Sequence, residues 1–146
     1  MQARRKMQKI LIPVDGSEYA LRAVEYASAI VKGGTSAELH LLNVQEHLDG
    51  RVQAYLPLEK IKALEAAAAE RGLHAARQIL DDGDIPYVAS FRTVPVAKTI
   101  VDYVQEQKCD SIVMGTHGRG ALGNLILGSV MNKVIHLAHV PVTLIK

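Results

Sequence analysis

The stretch MGTHGRGALGNLILGSV, residues 114–130, decides the fold because it holds the densest glycine spacing of the chain. It follows a short apolar run, residues 111–114, which predicts a buried strand, and it leads into a helical pattern near Ser129. Glycines between a strand and a helix let backbone amides approach a ligand, and the start of a helix favours an anion. Since no Asp or Glu follows Asp110, no carboxylate near in sequence opposes an anion. We interpret this stretch as a phosphate-binding loop.

Composition narrows the classes of protein to which the chain can belong. It has 146 residues, of which 49% are hydrophobic, which suits one domain with a sizeable core. A net charge of +2 and only 4% aromatic residues argue against a nucleic-acid partner. No apolar run approaches the roughly 18 residues of a membrane span, and the single cysteine, Cys109, excludes an internal disulfide. We therefore expect a cytoplasmic protein without a nucleic-acid or membrane partner.

The N-terminus predicts a short basic leader before the domain. Arg4, Arg5 and Lys6 are interpreted as part of a solvated tail, and Met7 is an alternative start. The apolar run that follows is too short for a signal peptide. We expect residues 1–8 to be a basic leader or tail and residues 9–146 to form the domain.

Strand and helix patterns alternate along the chain. Five apolar segments that predict strands begin near Lys9, Leu39, Tyr87, Ser111 and Val142, and helical patterns separate them. This order predicts an α/β single domain with a five-stranded parallel sheet, right-handed crossovers and helices on both faces. The third strand alternates only partly and the last is short and terminal, so both are expected at sheet edges.

Turn residues set the expected limits of the helices. Ser17 is the expected N-cap of the first helix, which stops at residues 33–34, a Gly-Gly pair. Residues 45–56 show no clear period and predict a loop. A longer helix follows from about Pro57, and Gly72 inside it allows a kink or break.

Two nucleotide-binding motifs fit the glycine stretch poorly. Residues 118–123 satisfy G-x-G-x-x-G, but that dinucleotide fingerprint needs an acidic residue about 20 positions on, and none exists. The loop also follows the fourth strand, too late to open a dinucleotide domain. A Walker loop needs Gly-Lys-Ser/Thr, whereas residues 127–129 are Leu-Gly-Ser. We therefore expect ATP to bind in preference to NAD.

The full glycine spacing, G-x2-G-x9-G-S over residues 115–129, resembles the nucleotide-binding signature of the universal stress protein family. The opening strand and turn, residues 10–17, and the last helix and strand, residues 129–142, are similar to that family as well, so the resemblance covers nearly the whole chain. It implies a Rossmann-like fold, usually dimeric through the last strand, and ATP binding in members with this glycine spacing.

The resemblance also assigns roles to individual positions. It places Pro13, Val14 and Asp15 at the adenosine, Val44 beside the adenine, and Met114 and Gly115 in the same pocket. It places Gly118, Arg119, Gly128, Ser129 and Val130 around the phosphates. One departure is Thr93, which stands where many members carry a glycine two residues before the proline that opens the third helix.

Several of these side chains also have a plainer interpretation. Asp15 is a turn former before Ser17, and Ser129 is a good N-cap whether or not a ligand binds. His117 is expected to line the loop and not to act as a base, since no partner for it is identifiable.

The remaining candidates for metal binding or nucleophilic chemistry are weak. His136 and His139 lie three apart on a predicted helix, but no carboxylate or cysteine completes a metal site, so helix surface is the preferred interpretation. Cys109 has no companion histidine in a nucleophile motif and is expected to be a structural thiol.

The function expected from sequence is a cytosolic ATP-binding stress-response regulator that also accepts AMP or ADP, with Mg²⁺ as an optional companion of the nucleotide. A slow ATPase or nucleotidyl-transfer enzyme is one alternative, and a dimerisation module with an empty pocket is another. Phosphoryl transfer requires a positioned cation, a metal-binding carboxylate and a group that orients the nucleophile. Only Arg119 and the distant Asp15 are available, so we expect no efficient catalysis.

Overall fold

The computed structural model describes residues 6–117 and 128–146. Its elements, in chain order, are β1 (Gln8–Pro13), α1 (Glu18–Lys32), β2 (Ala37–Gln45), α2 (Gly50–Tyr55), α3 (Leu58–Asp82), β3 (Tyr87–Thr93), α4 (Val96–Gln107), β4 (Ser111–Gly115), α5 (Ser129–Leu137) and β5 (Val142–Ile145). All five predicted strands are present.

The strands form one parallel sheet in the order β3-β2-β1-β4-β5. The prediction of a five-stranded parallel sheet is confirmed, and so are the edge positions of β3 and β5. The chain runs from β1 outwards through β2 to β3, and then returns to the other side of β1 for β4 and β5. The strand order therefore reverses between β1 and β4, which is where ligands bind in open parallel sheets.

Helices cover both faces of the sheet, and each face has its own apolar core. Leu11 and Ile12 are adjacent in β1 and both are 0% exposed, so they fill the two cores in turn. On the face covered by α1 and α3, the buried residues include Ile12, Val24, Leu41, Leu73 and Leu80. On the face covered by α4 and α5, they include Leu11, Leu42, Ile100, Ile112 and Val134. Burial on both faces explains why these strands are continuously apolar.

The expected ends of α1 are confirmed. Ser17 caps the helix through its hydroxyl, which accepts a hydrogen bond from the Ala20 amide at 3.2 Å. Gly33 is the C-cap, and Gly34 follows with φ +101°, a left-handed conformation that favours glycine.

The prediction of a loop over residues 45–56 is wrong for two parts of this range. β2 continues to Gln45, and α2 occupies Gly50–Tyr55. Asp49 caps α2 by accepting a hydrogen bond from the Arg51 amide at 2.8 Å. Since α2 buries none of its residues, the sequence carried no apolar period by which it could be found.

Three expectations about helices need correction. α3 runs unbroken through Gly72, so the break that this glycine allowed does not occur. Gly128, not Ser129, is the N-cap of α5, and Ser129 is the first residue of the helix. α5 ends at Leu137, so His139 lies outside it, and His136 Nδ1 donates to the Asn132 carbonyl at 2.8 Å.

Among the described residues, no helix is both long and apolar enough to cross a membrane.

Candidate functional site

A cavity of about 590 Å³ lies at the carboxyl ends of β1, β2 and β4, beside the start of α5. Its volume is within the range of small-molecule sites. Nine of the eleven predicted site residues line it: Pro13, Val14, Asp15, Val44, Met114, Gly115, Gly128, Ser129 and Val130. The other two, Gly118 and Arg119, lie outside the described residues. The structure thus brings together positions that are up to 117 residues apart in sequence, from Pro13 to Val130.

The cavity wall also includes residues that the sequence did not single out. The apolar ones, from α4 and α5, are Val96, Ile100 and Met131. The polar ones are Asn43 and Gln45 at the end of β2 and Glu46 directly after it. The apolar residues belong to helical patterns that predict a core, so sequence alone gave no sign that they border a cavity. The polar residues were the detectable signal, because they interrupt the apolar run of β2 at its carboxyl end.

The turn between β1 and α1 forms one side of the site. The Val14 amide donates to the Leu42 carbonyl at 2.9 Å, which keeps the chain paired with β2 beyond the end of β1. Asp15 Oδ1 accepts from the Ser17 amide at 2.9 Å, and Gly16 has φ +83°. Asp15 is therefore a turn former, as its plainer interpretation holds, and it also lines the cavity.

A buried carboxamide joins this turn to β2. Asn43 is 1% exposed, and its Nδ2 donates to the Val14 carbonyl at 2.9 Å. Its Oδ1 accepts from Gln45 Nε2. Behind it lies Gly72 of α3, where a Cβ would clash with Asn43 Nδ2. Gly72 thus provides the space in which Asn43 holds the turn.

The end of β4 forms the opposite side of the site. Gly115 lies against the first turn of α1, where a Cβ would be 2.7 Å from Tyr19 Cβ and 2.8 Å from its carbonyl carbon. The Thr116 amide donates to the Ile145 carbonyl, and the Gly128 amide donates to the Thr116 carbonyl, both at 2.9 Å. This second hydrogen bond brings Gly128 back to the strand end and fixes where α5 begins.

His117, which the sequence predicted to line the glycine loop, lines the cavity beside this strand end. Its Nδ1 is 3.0 Å from the Thr116 hydroxyl, and its ring centroid is 5.0 Å from that of Tyr19. The imidazole is thereby oriented by a hydrogen bond and an aromatic contact, and its position adds a polar ring to the wall.

The charges around the cavity are unevenly distributed. Of the lining residues that the structure describes, two are carboxylates, Asp15 and Glu46, and none is Lys or Arg. The backbone amides at the start of α5 can attract an anion, since the first turn of this helix carries no acidic residue. The cavity accordingly combines an acidic, partly apolar side at the ends of β1 and β2 with an amide-rich side at Ser129.

The groups with raised pKa values lie away from this cavity. Burial raises the pKa of the Cys109 thiol to about 11, and burial is also the main cause of the raised pKa of Tyr103. The Tyr103 hydroxyl is 2.7 Å from Nδ1 of buried His40, whose Nε2 is 2.6 Å from Glu38 Oε1. None of these residues lines the cavity, and no cluster of three or more metal-ligating side chains occurs within residues 6–117 and 128–146.

The family model that describes the universal stress protein family matches residues 6–146. The chain belongs to the universal stress protein family. A universal stress protein of Methanocaldococcus jannaschii is 32% identical over 143 residues, covering 95% of this chain and 82% of that protein. The resemblance inferred from the glycine spacing and its flanks is therefore confirmed.

Solved structures show the same universal stress protein fold. The structure of a hypothetical protein, solved as a test case of structural genomics, matches this chain with a TM-score of 0.80 at 27% identity. The match covers 95% of each of the two chains. A universal stress protein from Archaeoglobus fulgidus, solved in complex with dAMP, has a TM-score of 0.67 at 23% identity and covers 97% of this chain and 98% of that one. The Rossmann-like α/β prediction is confirmed by these likenesses.

Proposed function

We propose that this universal stress protein is a stress-response regulator that binds ATP, or AMP or ADP, in the cavity at the switch point of the sheet. The observation that carries the proposal is that two chemically different sides of the cavity face each other there, one acidic and partly apolar and the other rich in backbone amides. Asp15 and Val44 lie on the β1–β2 side, and Gly128 and Ser129 on the side of α5. A nucleoside and its phosphates differ in the same way, because one part is apolar with hydrogen-bonding edges and the other is anionic.

In the proposed complex, the base contacts the apolar wall formed by Val44, Val96 and Ile100. Asp15 accepts a hydrogen bond from the nucleoside, and backbone amides from residue 128 onwards bind phosphate oxygens, as helix starts commonly do. The resemblance adds Gly118 and Arg119 to the phosphate side. Mg²⁺, if it accompanies the nucleotide, is held mainly by the phosphates, since the described residues offer no cluster of metal ligands.

We propose binding without efficient catalysis. Efficient phosphoryl transfer places a cation, a metal-binding carboxylate and an orienting group around the phosphates. Among the described lining residues none is Lys or Arg, and the two carboxylates, Asp15 and Glu46, follow β1 and β2 and do not belong to α5. We expect ATP turnover well below about one per second, since kinases typically reach 1–100 s⁻¹. A faster steady-state rate would favour the enzyme alternative.

The direct test is calorimetric titration of ATP, together with acid extraction of the purified protein to detect bound nucleotide. Gly128→Val should abolish binding because a branched side chain would stand where amides meet phosphate. Gly50→Val is the matched control, since no atom lies within 4 Å of a Cβ built at Gly50. Ser129→Ala should weaken ATP less, and Asp15→Ala should weaken adenosine, ADP and ATP by similar factors. If ATP shows no affinity at millimolar concentration and no nucleotide is extracted, the proposal is refuted and the alternative, a dimerisation module with an empty pocket, is favoured.

We also propose a homodimer through β5. This strand is a sheet edge whose unpaired backbone requires cover. The carbonyls of Pro141 and Ile145 accept from β4, so the backbone of Val142 faces outwards by the alternation of a strand. Val142→Pro should remove an outward N–H and weaken the dimer, and deletion of residues 141–146 should yield monomer or aggregate. Light scattering that shows the intact protein monomeric at micromolar concentration would refute the dimer.

We place this function in the cytoplasm, without a nucleic-acid or membrane partner. The single cysteine, Cys109, suits a reducing compartment, and the low net charge and few aromatic residues support the lack of a nucleic-acid surface. We also propose a basic leader over residues 1–8 ahead of a domain over residues 9–146, although β1 already starts at Gln8. Cell fractionation with an antibody against the chain would test the location.

A further inference from the structure

Gln45 ends β2 and lines the cavity next to Val44, on the side away from the start of α5. Its side chain is half-buried, and its amide nitrogen is engaged by Asn43. The direction of that hydrogen bond determines which atom of the carboxamide is left for a ligand.

The direction follows from a chain of two hydrogen bonds that begins at a backbone carbonyl. The Val14 carbonyl can only accept, so the Asn43 atom 2.9 Å from it must be the amide nitrogen, Nδ2. The other Asn43 atom is then the oxygen, Oδ1, and the Gln45 atom that bonds to it must be the donor Nε2. Gln45 therefore directs its oxygen, Oε1, away from Asn43.

Asn43 cannot easily reverse this arrangement. It is 1% exposed, and Gly72 backs its amide nitrogen so closely that even a Cβ would clash there. A reversed Asn43 would place its oxygen against the Val14 carbonyl, leaving two buried acceptors face to face and unbonded. The orientation of Gln45 thus depends on a rigid neighbour and not on the ligand.

We propose that Gln45 selects purines with a 6-amino group over those with a 6-oxo group. The inference rests on the nucleotide binding proposed above, with the base at the β2 wall. Gln45 Oε1 accepts a hydrogen bond from an exocyclic amine, whereas a 6-oxo group would set acceptor against acceptor. The neighbouring Glu46 lines the same wall, and its carboxylate adds acceptor oxygens that favour the same choice.

The probe is the pair ATP and ITP, which share ribose and phosphates and differ at the 6-position of the base. We expect calorimetric titration of the wild-type protein to give about tenfold tighter binding of ATP, near the upper limit for one neutral hydrogen bond. Gln45→Leu should bring the two affinities within about twofold while phosphate-dependent binding persists. Gln78→Leu, on the exposed surface of α3, is the matched control and should keep the tenfold preference.

A second variant tests the role of Asn43 in orienting Gln45. Asn43→Ala releases the Gln45 carboxamide, so the preference for ATP should fall although Gln45 is still present. Circular dichroism first establishes that this variant is folded, and if it is not, Gln45→Leu decides alone. A full preference in folded Asn43→Ala would overturn the orienting role.

The outcomes separate the inference from the function on which it rests. Equal wild-type affinities for ATP and ITP, or a tenfold preference that survives in Gln45→Leu, would overturn the inference and leave nucleotide binding intact. Absence of binding by either nucleotide would overturn the proposed function together with the inference.

Discussion

Replacing Gly72 with alanine should destabilise the protein, although alanine is the better helix former. In an exposed helix interior, Gly→Ala gains up to about 1 kcal/mol. Here the new Cβ would overlap Asn43 Nδ2, which is buried and held by the Val14 carbonyl. Displacing that amide breaks the hydrogen bond and leaves a buried donor and acceptor unsatisfied, at about 1–3 kcal/mol for each group. Since the two groups together cost about 2–6 kcal/mol and the helix gains up to about 1 kcal/mol, the net expectation is a loss of about 1–5 kcal/mol.

Urea denaturation of purified variants measures this loss as a lower midpoint at unchanged slope. Gly50→Ala is the matched control, because Gly50 is also helical and a Cβ there meets nothing within 4 Å. Its stability should lie within about 0.5 kcal/mol of wild type.

A double-mutant cycle identifies the cause of the loss. In an Asn43→Ala background the obstructing amide is absent, so Gly72→Ala should become neutral or stabilising. If Gly72→Ala is as stable as wild type, or costs the same with and without Asn43, the reasoning about this contact is wrong.

Three further predictions concern the rest of the fold. Gly115→Ala should cost about 3 kcal/mol in thermal unfolding, near the top of the usual range for overpacking, since its Cβ would lie 2.8 Å from the Tyr19 carbonyl carbon and the backbone would have to move. Near-wild-type stability would contradict this prediction. Tyr103→Phe should cost about 1–3 kcal/mol in urea by removing the hydroxyl that bonds buried His40, and an unchanged midpoint would show that water replaces it. Burial raises the pKa of Cys109 from 9.0 to about 11, so the folded state holds this proton more tightly. The contribution of this protonated thiol to the free energy of unfolding is therefore full below pH 9 and is lost as the pH rises through 11. Cys109→Ala should lack this loss when the free energies of unfolding of the two proteins are compared across this pH range.

The fold was predictable largely because its central strands lie inside the protein. In β1 and β2, consecutive residues such as Leu41 and Leu42 are each 0% exposed and face opposite cores. Continuous apolar runs of this kind are typical of central parallel strands. α2 was missed for the opposite reason, because a helix that buries nothing leaves no periodic signal.

Part of the site was predictable because strand ends and glycine spacing are local features. Pro13 and Gly115 end strands, and the alternation of strands and helices places those ends at one edge of the sheet. The sequence could not show that Gly72 of α3 contacts Asn43 of β2, because that contact depends on how the helix lies on the sheet. Without it, Asn43 was only a polar residue in an apolar strand, and neither it nor Gln45 was singled out.

Two glycines of the signature, Gly115 and Gly128, differ in how strongly the fold requires them, and this difference bears on the proposed function. Gly115 is required by the fold, since a Cβ there would collide with the backbone of Tyr19. Gly128 has φ −69°, a conformation open to any residue, and a Cβ there would be 3.0 Å from only the flexible end of Met131. The described structure therefore gives a strong reason for glycine at 115 and a weak one at 128. A ligand that must contact the amide of residue 128 closely would supply the missing reason, and phosphate at the start of a helix is such a ligand.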